Sequence, residues 1–356
     1  MSIITIVGAR PQFVKAGTVS RALRSAGLKE IIVHTGQHFD YNMSQVFFDD
    51  MEIPEPDYNL EINSLSHGAM TGRMLEAIER ILLKEKPSLV LVYGDTNSTL
   101  AGALAAQKLA IPVAHVEAGL RSFNMAMPEE TNRILTDRIS THLFCPTQVA
   151  VNNLKAEGFT NFGCNIHNVG DVMLDAALYY SERSAQKSTI VRDIGLEPNP
   201  VLATMHRQEN TDNPHNLKGI IDALNSIHSE RQVVVPLHPR TKKIIEGSGI
   251  KMNFTIIPPV GYFDMIELLK HCALVITDSG GLQKEAFFFS KGCVTLRDET
   301  EWTELVDGGY NVLAGSNSET IVDCYKMMLS TTPDFSAPLY GSGDASVRIV
   351  DRLKQG

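Results

Sequence analysis

The stretch from Leu89 to Arg133 places residues able to move protons beside residues able to hold anions. Asp95, Glu117 and Glu129 supply carboxylates, and Arg121 and Arg133 supply guanidinium groups. Any one of these acids also reads as a helix cap or a surface charge. Together, at successive strand ends and the loop beyond, they form a candidate set for acid–base work. A second set gathers further on. Met205-His206-Arg207-Gln208-Glu209-Asn210 is too polar for a plain turn, and His238-Pro239-Arg240 ends another apolar run. Thr277-Asp278-Ser279-Gly280-Gly281-Leu282-Gln283-Lys284-Glu285 turns from an apolar strand through Ser-Gly-Gly into a helix. Such a turn directs backbone N–H groups and a positive helix end at one point, which suits a diphosphate. Glu285, further along that helix, is placed to reach back to a ribose. At the start of the chain, Arg10 and Lys15 flank the helix that begins near Pro11. They read either as a phosphate clamp or as two surface cations.

Those residues need elements to carry them. Short apolar runs at Ile3–Val7, Ile31–Thr35, Leu89–Tyr93, Val113–Val116, His142–Cys145 and Ile166–Asp171 predict strands, with helical patterns between them. In the helix before Leu89, Met70, Met74, Ile78, Ile81 and Leu82 follow core spacing. After the polar segment Ser184–Pro200 the alternation restarts with Val201–Thr204, Gln232–Pro236, Phe254–Ile257, Ala273–Thr277 and Gly292–Leu296. Regular alternation predicts α/β domains with doubly wound parallel sheets, whose ligands sit beyond the carboxyl ends of the strands. The expected division is 1–170, 171–340 and a terminal segment 341–356, in which Asp344 caps a docked helix with Val347, Ile349, Val350 and Leu353 inward.

A chain of 356 residues is too long for one core and suits two domains. The formal charge of -9 gives no electrostatic reason to expect nucleic acid or a membrane surface as partner. The five cysteines form no C-x-x-C pair and read as reduced thiols of a cytoplasmic protein. The amino terminus shows no export signal, and no apolar run approaches a membrane span.

The motifs resemble those of the non-hydrolysing UDP-N-acetylglucosamine 2-epimerases along essentially the whole chain. Gly8-Ala9-Arg10-Pro11 with Lys15, Gly94-Asp95-Thr96, His115-Val116-Glu117-Ala118-Gly119-Leu120-Arg121, Pro128-Glu129-Glu130 with Asn132-Arg133, His206-Arg207 with Glu209-Asn210, and Asp278-Ser279-Gly280-Gly281 with Gln283 and Glu285 carry the likeness. It implies two Rossmann-like domains facing across a cleft in the glycosyltransferase-B manner, a last helix crossing back to the first domain, and a homodimer. It also implies roles. Asp95, Glu117, Glu129 and His206 would be catalytic. Arg10, Lys15, Arg133, His238, Tyr262, Ser279, Gly280, Gly281 and Glu285 would bind a UDP-sugar. The implied reaction eliminates UDP to a glycal unsaturated between carbons 1 and 2 and returns it with carbon 2 inverted. Neither a metal nor a cofactor is expected, and the Gly8 turn lacks the G-x-G-x-x-G dinucleotide pattern.

The hydrogen on carbon 2 is not next to a carbonyl, so the bond to UDP must largely break before the proton leaves. That chemistry calls for a cradle for the departing diphosphate and for carboxylates beside an oxocarbenium-like carbon. Departures from the family pattern bear on the substrate. Members using UDP-N-acetylglucosamine commonly carry Gln-His-Arg-Glu at Gln37-His38-Phe39-Asp40 and Gly-His-Arg-Arg at Met205-His206-Arg207-Gln208. They commonly carry Arg-Pro at Trp302-Thr303 and a glutamate at Gln12. These changes, with Phe39-Asp40-Tyr41 and Glu299-Thr300-Glu301-Trp302, resemble the branch acting on UDP-2,3-diacetamido-2,3-dideoxy-glucuronate. Loss of an acid at position 12 suits a substrate bearing its own carboxylate. Both substrates stay open, as do a hydrolysing epimerase that releases UDP, a UDP-sugar glycosyltransferase and a UDP-sugar sensor without turnover.

Overall fold

The computed structural model describes residues 1–37, 54–331 and 333–355. His38, Phe39, Asp40 and Tyr41 lie outside the described residues, as does the Arg10 side chain. The chain forms two compact units, Met1–Leu178 with Pro338–Gly356, and Tyr179–Ala337.

The first unit is built on strands β1 (Ser2–Val7), β2 (Lys29–His34), β3 (Tyr58–Asn59), β4 (Leu89–Tyr93), β5 (Val113–Val116), β6 (His142–Cys145) and β7 (Asn165–Asn168), ordered β3-β2-β1-β4-β5-β6-β7. Every pairing is parallel. All five residues of β4 are buried, which is why its sequence is a continuous apolar run without alternation. Helix α1 (Arg10–Ser25) packs on β1, β2 and β4, and α2 (His67–Glu85) and α3 (Asn97–Lys108) pack against each other. Ile4, Ile6, Val33, Val90 and Val92 pack with Met74, Ile78 and Ala101–Ala106 in one core. Each large aliphatic side chain withdrawn from water there contributes about 1.5–3 kcal/mol. Helix α3 is rich in Ala because it lies close on the sheet: a Cβ added at Gly102 would sit 3.0 Å from Ile6. Thr96 caps it, accepting from Thr99 N at 3.3 Å while Thr99 Oγ1 accepts from Thr96 N at 3.1 Å, so the end of β4 is pinned directly to the helix start.

Helix α4 (Pro128–Ile139) follows β5, and α5 (Val172–Lys187) runs on from the first unit into the second, the exchange falling between Leu178 and Tyr179. The boundary expected at 170 therefore lies ahead of a helix that both units share. Residues 338–356 return to the first unit, where the terminal helix packs on α1. Asp175, not Asp344, holds the start of that terminal helix. Its carboxylate accepts from Ala345 N at 3.1 Å, Ser346 N at 2.7 Å and Ser346 Oγ at 2.6 Å, while Asp344 accepts from Ser342 Oγ. Ile349, Val350 and Leu353 face inward as expected, but Val347 is exposed.

The second unit has strands β8 (Val201–Thr204), β9 (Val233–Pro236), β10 (Thr255–Ile257), β11 (Leu274–Thr277), β12 (Gly292–Thr295) and β13 (Asn311–Leu313), ordered β10-β9-β8-β11-β12-β13 and again all parallel. Val201, Ala203, Val233, Val235, Ile276 and Val294 pack against Ile220 and Leu224 of the helix Pro214–His228. The partly buried edge strand β13 carries too short an apolar run to stand out in the sequence. Strand order reverses between β1 and β4 in one sheet and between β8 and β11 in the other, and those are the places where an open parallel sheet leaves a crevice. Among the described residues no helix is long and apolar enough to cross a membrane.

Candidate active site

At the β1/β4 reversal the turn after β1 is filled by its own chain. Gln12 is almost fully buried, and its Oε1 accepts from Gly8 N at 2.8 Å and Ala9 N at 2.9 Å. Its Nε2 faces the oxygens of Tyr93 (2.7 Å), Thr96 (3.0 Å) and Thr99 (2.9 Å). The turn amides after β1 thus already have an acceptor. A glutamate carboxylate in this position could not donate to the Tyr93 carbonyl, so the amide at position 12 serves the turn. Gly8 is required because a Cβ there would overlap Thr35 and Ser98.

Beside this plug the acids assemble. Lys15 and Glu117 form an ion pair, with both side chains about nine-tenths buried. Gly94, with φ +61°, lies against the pair: an added Cβ would sit 3.3 Å from Glu117 Oε2 and 3.4 Å from Lys15 Nζ. Next in sequence, Asp95 is paired with Arg133, whose other arm donates to Glu130 Oε2 at 2.9 Å. Asn132 donates to the Asp95 carbonyl at 2.9 Å. Asp95 and Glu117 therefore sit at adjacent strand ends, each held by its own cation. Glu129 does not share in this network. It is exposed in the first turn of α4, while its neighbour Glu130 is fully buried and accepts from Ser122 N (3.0 Å), Ser122 Oγ (2.9 Å) and Phe123 N (2.9 Å). One helical step separates an acid facing out from one that braces Arg133 and the preceding loop.

Glu117 has φ +73°, a left-handed conformation that costs a non-glycine residue about 1–3 kcal/mol and persists only where surroundings enforce it. Buried Asp137, a residue that sequence reasoning passed over, lies beneath. Its Oδ1 accepts from His115 Nδ1 at 2.7 Å, and its Oδ2 accepts from Gly119 N at 3.1 Å and Arg121 Nη1 at 2.7 Å. Burial works against its charge, but the contacts with His115 and Arg121 outweigh that and hold its carboxyl below the usual carboxylate range. On the far side of the ring, His115 Nε2 donates to the Gly94 carbonyl at 2.7 Å.

The second cluster sits at the β8/β11 reversal. Asp278, fully buried, accepts from His206 N at 2.9 Å, Arg207 N at 3.0 Å and Asn210 Nδ2 at 3.3 Å, so one carboxylate ties the two strand-end turns together. Its Oδ1 lies 3.0 Å from His206 Nδ1, while the His206 side chain is 56% exposed. This orients a histidine by one nitrogen and leaves the rest of the ring toward solvent, the arrangement of an acid–base dyad. Burial raises the Asp278 pKa, and the His206 contacts and backbone donors more than reverse it, so the carboxyl ends below its ordinary value.

Helix α6 (Gly280–Phe288) begins at this point. Ser279 Oγ accepts from Leu282 N at 3.5 Å as its cap, and Ser279 N donates to Thr277 Oγ1 at 2.9 Å. An added Cβ on Gly281 would meet nothing within 4 Å, so the space above this turn is open. Gly280 instead lies against the carboxylate of Glu301, which Arg297 pairs at 3.0 Å. Glu285 is largely buried on the same helix. Trp302 is buried, with Lys284 Nζ 4.0 Å from its ring centroid in a cation–π contact. His238 caps its own helix, accepting from Arg240 N at 3.3 Å, and Tyr262 lies edge-on to Tyr180. Neither of these two contacts is with the Ser279 turn. No group of three or more metal-ligating side chains occurs among the described residues, and all five cysteines are free thiols.

Comparison with known proteins places this architecture. Residues 21–354 match the model of the UDP-N-acetylglucosamine 2-epimerase family. The chain is 57% identical over 355 residues to the UDP-2,3-diacetamido-2,3-dideoxy-D-glucuronate 2-epimerase of Pseudomonas aeruginosa, covering 99% of both chains. It is similar throughout, with a TM-score of 0.91, 42% identity and all of both chains covered, to the crystal structure of Methanocaldococcus jannaschii UDP-GlcNAc 2-epimerase in complex with UDP-GlcNAc and UDP. The Neisseria meningitidis UDP-GlcNAc 2-epimerase bound to UDP-GlcNAc is similar over the same extent, with a TM-score of 0.90 and 29% identity.

Proposed function

The chain belongs to the UDP-N-acetylglucosamine 2-epimerase family, isomerases of UDP-sugars, and from that premise we propose that it inverts carbon 2 of a UDP-sugar. The Ser279 turn with Glu285 takes the UDP, and Asp95 and Glu117 work on the sugar. One carboxylate accepts the proton from carbon 2 as the bond between carbon 1 and the diphosphate oxygen breaks. The bond's electron pair leaves with UDP, and the pair from the carbon–hydrogen bond becomes the double bond of the glycal. Return of a proton to the other face, and of UDP to carbon 1, gives the epimer. His206, oriented by Asp278, is suited to carry a proton at the departing phosphate.

The observation that carries this reading is the pair of carboxylates at adjacent strand ends, each set against a cation, with Gly94 lying close against the Lys15–Glu117 pair. A glycosyltransferase acting at carbon 1 has less need of two such acids beside the sugar. For the substrate we favour a UDP-2,3-diacetamido-2,3-dideoxy-glucuronate, on the strength of the 57% identity to an enzyme of that name. UDP-N-acetylglucosamine is the second reading, supported by the relatives whose structures hold it. A homodimer working in the cytoplasm on precursors of surface polysaccharide completes the proposal. Incubating the protein with each UDP-sugar in deuterated water tests it. NMR should show the manno epimer with deuterium at carbon 2 and no accumulation of UDP. Deuterium-free recovery of every sugar, or net release of UDP, would overturn it.

A further inference from the structure

We propose that Asp137 is a positioning residue for this reaction, holding the turns that carry Asp95 and Glu117 in register through His115, Gly119 and Arg121. The proposal rests on the reading of Asp95 and Glu117 given above.

The carboxylate has three donors and reaches both strand ends. Arg121 and Gly119 fix the chain after Glu117, and His115 fixes the strand before it. Through its other nitrogen His115 holds the Gly94 carbonyl, directly before Asp95. The Gly94 carbonyl can only accept, so Nε2 carries a hydrogen. Nδ1 of the same ring faces the Asp137 carboxylate, so the ring bridges the two turns. His115, Asp137 and Arg121 are all buried, so no water is at hand to replace a lost partner. Between the anchors Glu117 keeps its left-handed φ, while Glu117 N and Ala118 N donate to the Phe144 carbonyl at 3.0 and 3.1 Å and Asn153 Nδ2 donates to the Gly119 carbonyl at 3.0 Å. Loosening the anchor frees the turn to relax, and a displacement of about an ångström in a reacting group costs about a hundredfold in rate.

An asparagine at 137 keeps the shape but accepts on one side only, so its amide must confront either His115 or the Gly119–Arg121 donors. Asp137→Asn is expected to slow deuterium exchange at carbon 2 about a hundredfold with UDP affinity by calorimetry unchanged. His115→Asn should slow it as well, and the double variant should be no slower than the slower single, because the two act in series. Glu157→Gln is the control. It removes the carboxylate on the outer side of Arg121, at 2.7 Å, and should leave exchange at the wild-type rate. Wild-type exchange in folded Asp137→Asn, equal loss of UDP affinity, additive losses in the double variant, or a matching loss in Glu157→Gln would each overturn the proposal. If Asp137→Asn does not fold, His115→Asn decides by the same split of rate against affinity. Failure of the wild type to exchange with any UDP-acetamido sugar would remove the underlying reading as well; exchange in the wild type and equally in the variants would remove only the role of Asp137.

Discussion

The two units share a topology and differ in what occupies the point where strand order reverses. In the first, a neutral side chain from the following helix enters the crevice: Gln12 takes both turn amides and gives its own hydrogens to the β4 turn. In the second, an anion holds the turns from below. Asp278 gathers the His206 and Arg207 amides and leaves the space above Gly281 open. Topology therefore sets where a ligand can sit. The side chain lodged at the reversal decides whether backbone amides or side-chain acids are presented there. The first unit, its amides spent, offers carboxylates and cations; the second offers a helix start and an oriented histidine.

The largest effect should come from the acids. Asp95→Asn or Glu117→Gln is expected to reduce turnover by about 10³-fold, within the range for loss of an acid–base group, with UDP affinity by calorimetry retained. Loss of UDP binding in both variants would erase the division between the clusters. Next is the anion beneath the second. Asp278→Ala should cost about 3 kcal/mol in chemical unfolding, because buried donors lose their acceptor. The folded pKa of Asp278 lies below the unfolded one, so its contribution is complete above about pH 4 and fades as pH falls through the folded value. The stability gap between wild type and Asp278→Asn should accordingly narrow on acidification, and a gap that widened would contradict the network described.

Smaller effects probe the plug and the open turn. Gln12→Glu should lower stability by about 1–3 kcal/mol in thermal melts, since a carboxylate cannot serve the Tyr93 carbonyl. An unchanged melt accompanied by a switch in sugar preference would return position 12 to the substrate. Gly281→Ala meets no neighbour and lies within a helix, so it should leave stability unchanged or raise it by up to about 1 kcal/mol. If the turn cradles a diphosphate, the same methyl group should still weaken UDP binding. Intact affinity would move the nucleotide elsewhere.

Much of this was legible beforehand. The strand-and-helix alternation, the clustering of unusual residues at strand ends and the Ser279 turn follow from apolar periodicity and local capping, which depend on neighbours a few residues apart. The docking of the last helix was readable from Ile349, Val350 and Leu353, but its cap came from Asp175, distant in sequence. Glu129 and Glu130 could not be told apart by spacing, because both stand in the first turn of α4 and only packing selects the one that turns inward.

The sequence by itself determined which residues could do chemistry and that they would lie at the carboxyl ends of parallel strands. Only the tertiary structure decided their pairing: Lys15 with Glu117, Arg133 with Asp95, His115 with Asp137, His206 with Asp278. The reason is physical. Local pattern fixes a residue's element and face, whereas its charge partner depends on which strands become neighbours, and strand order is set by burial over the whole sheet.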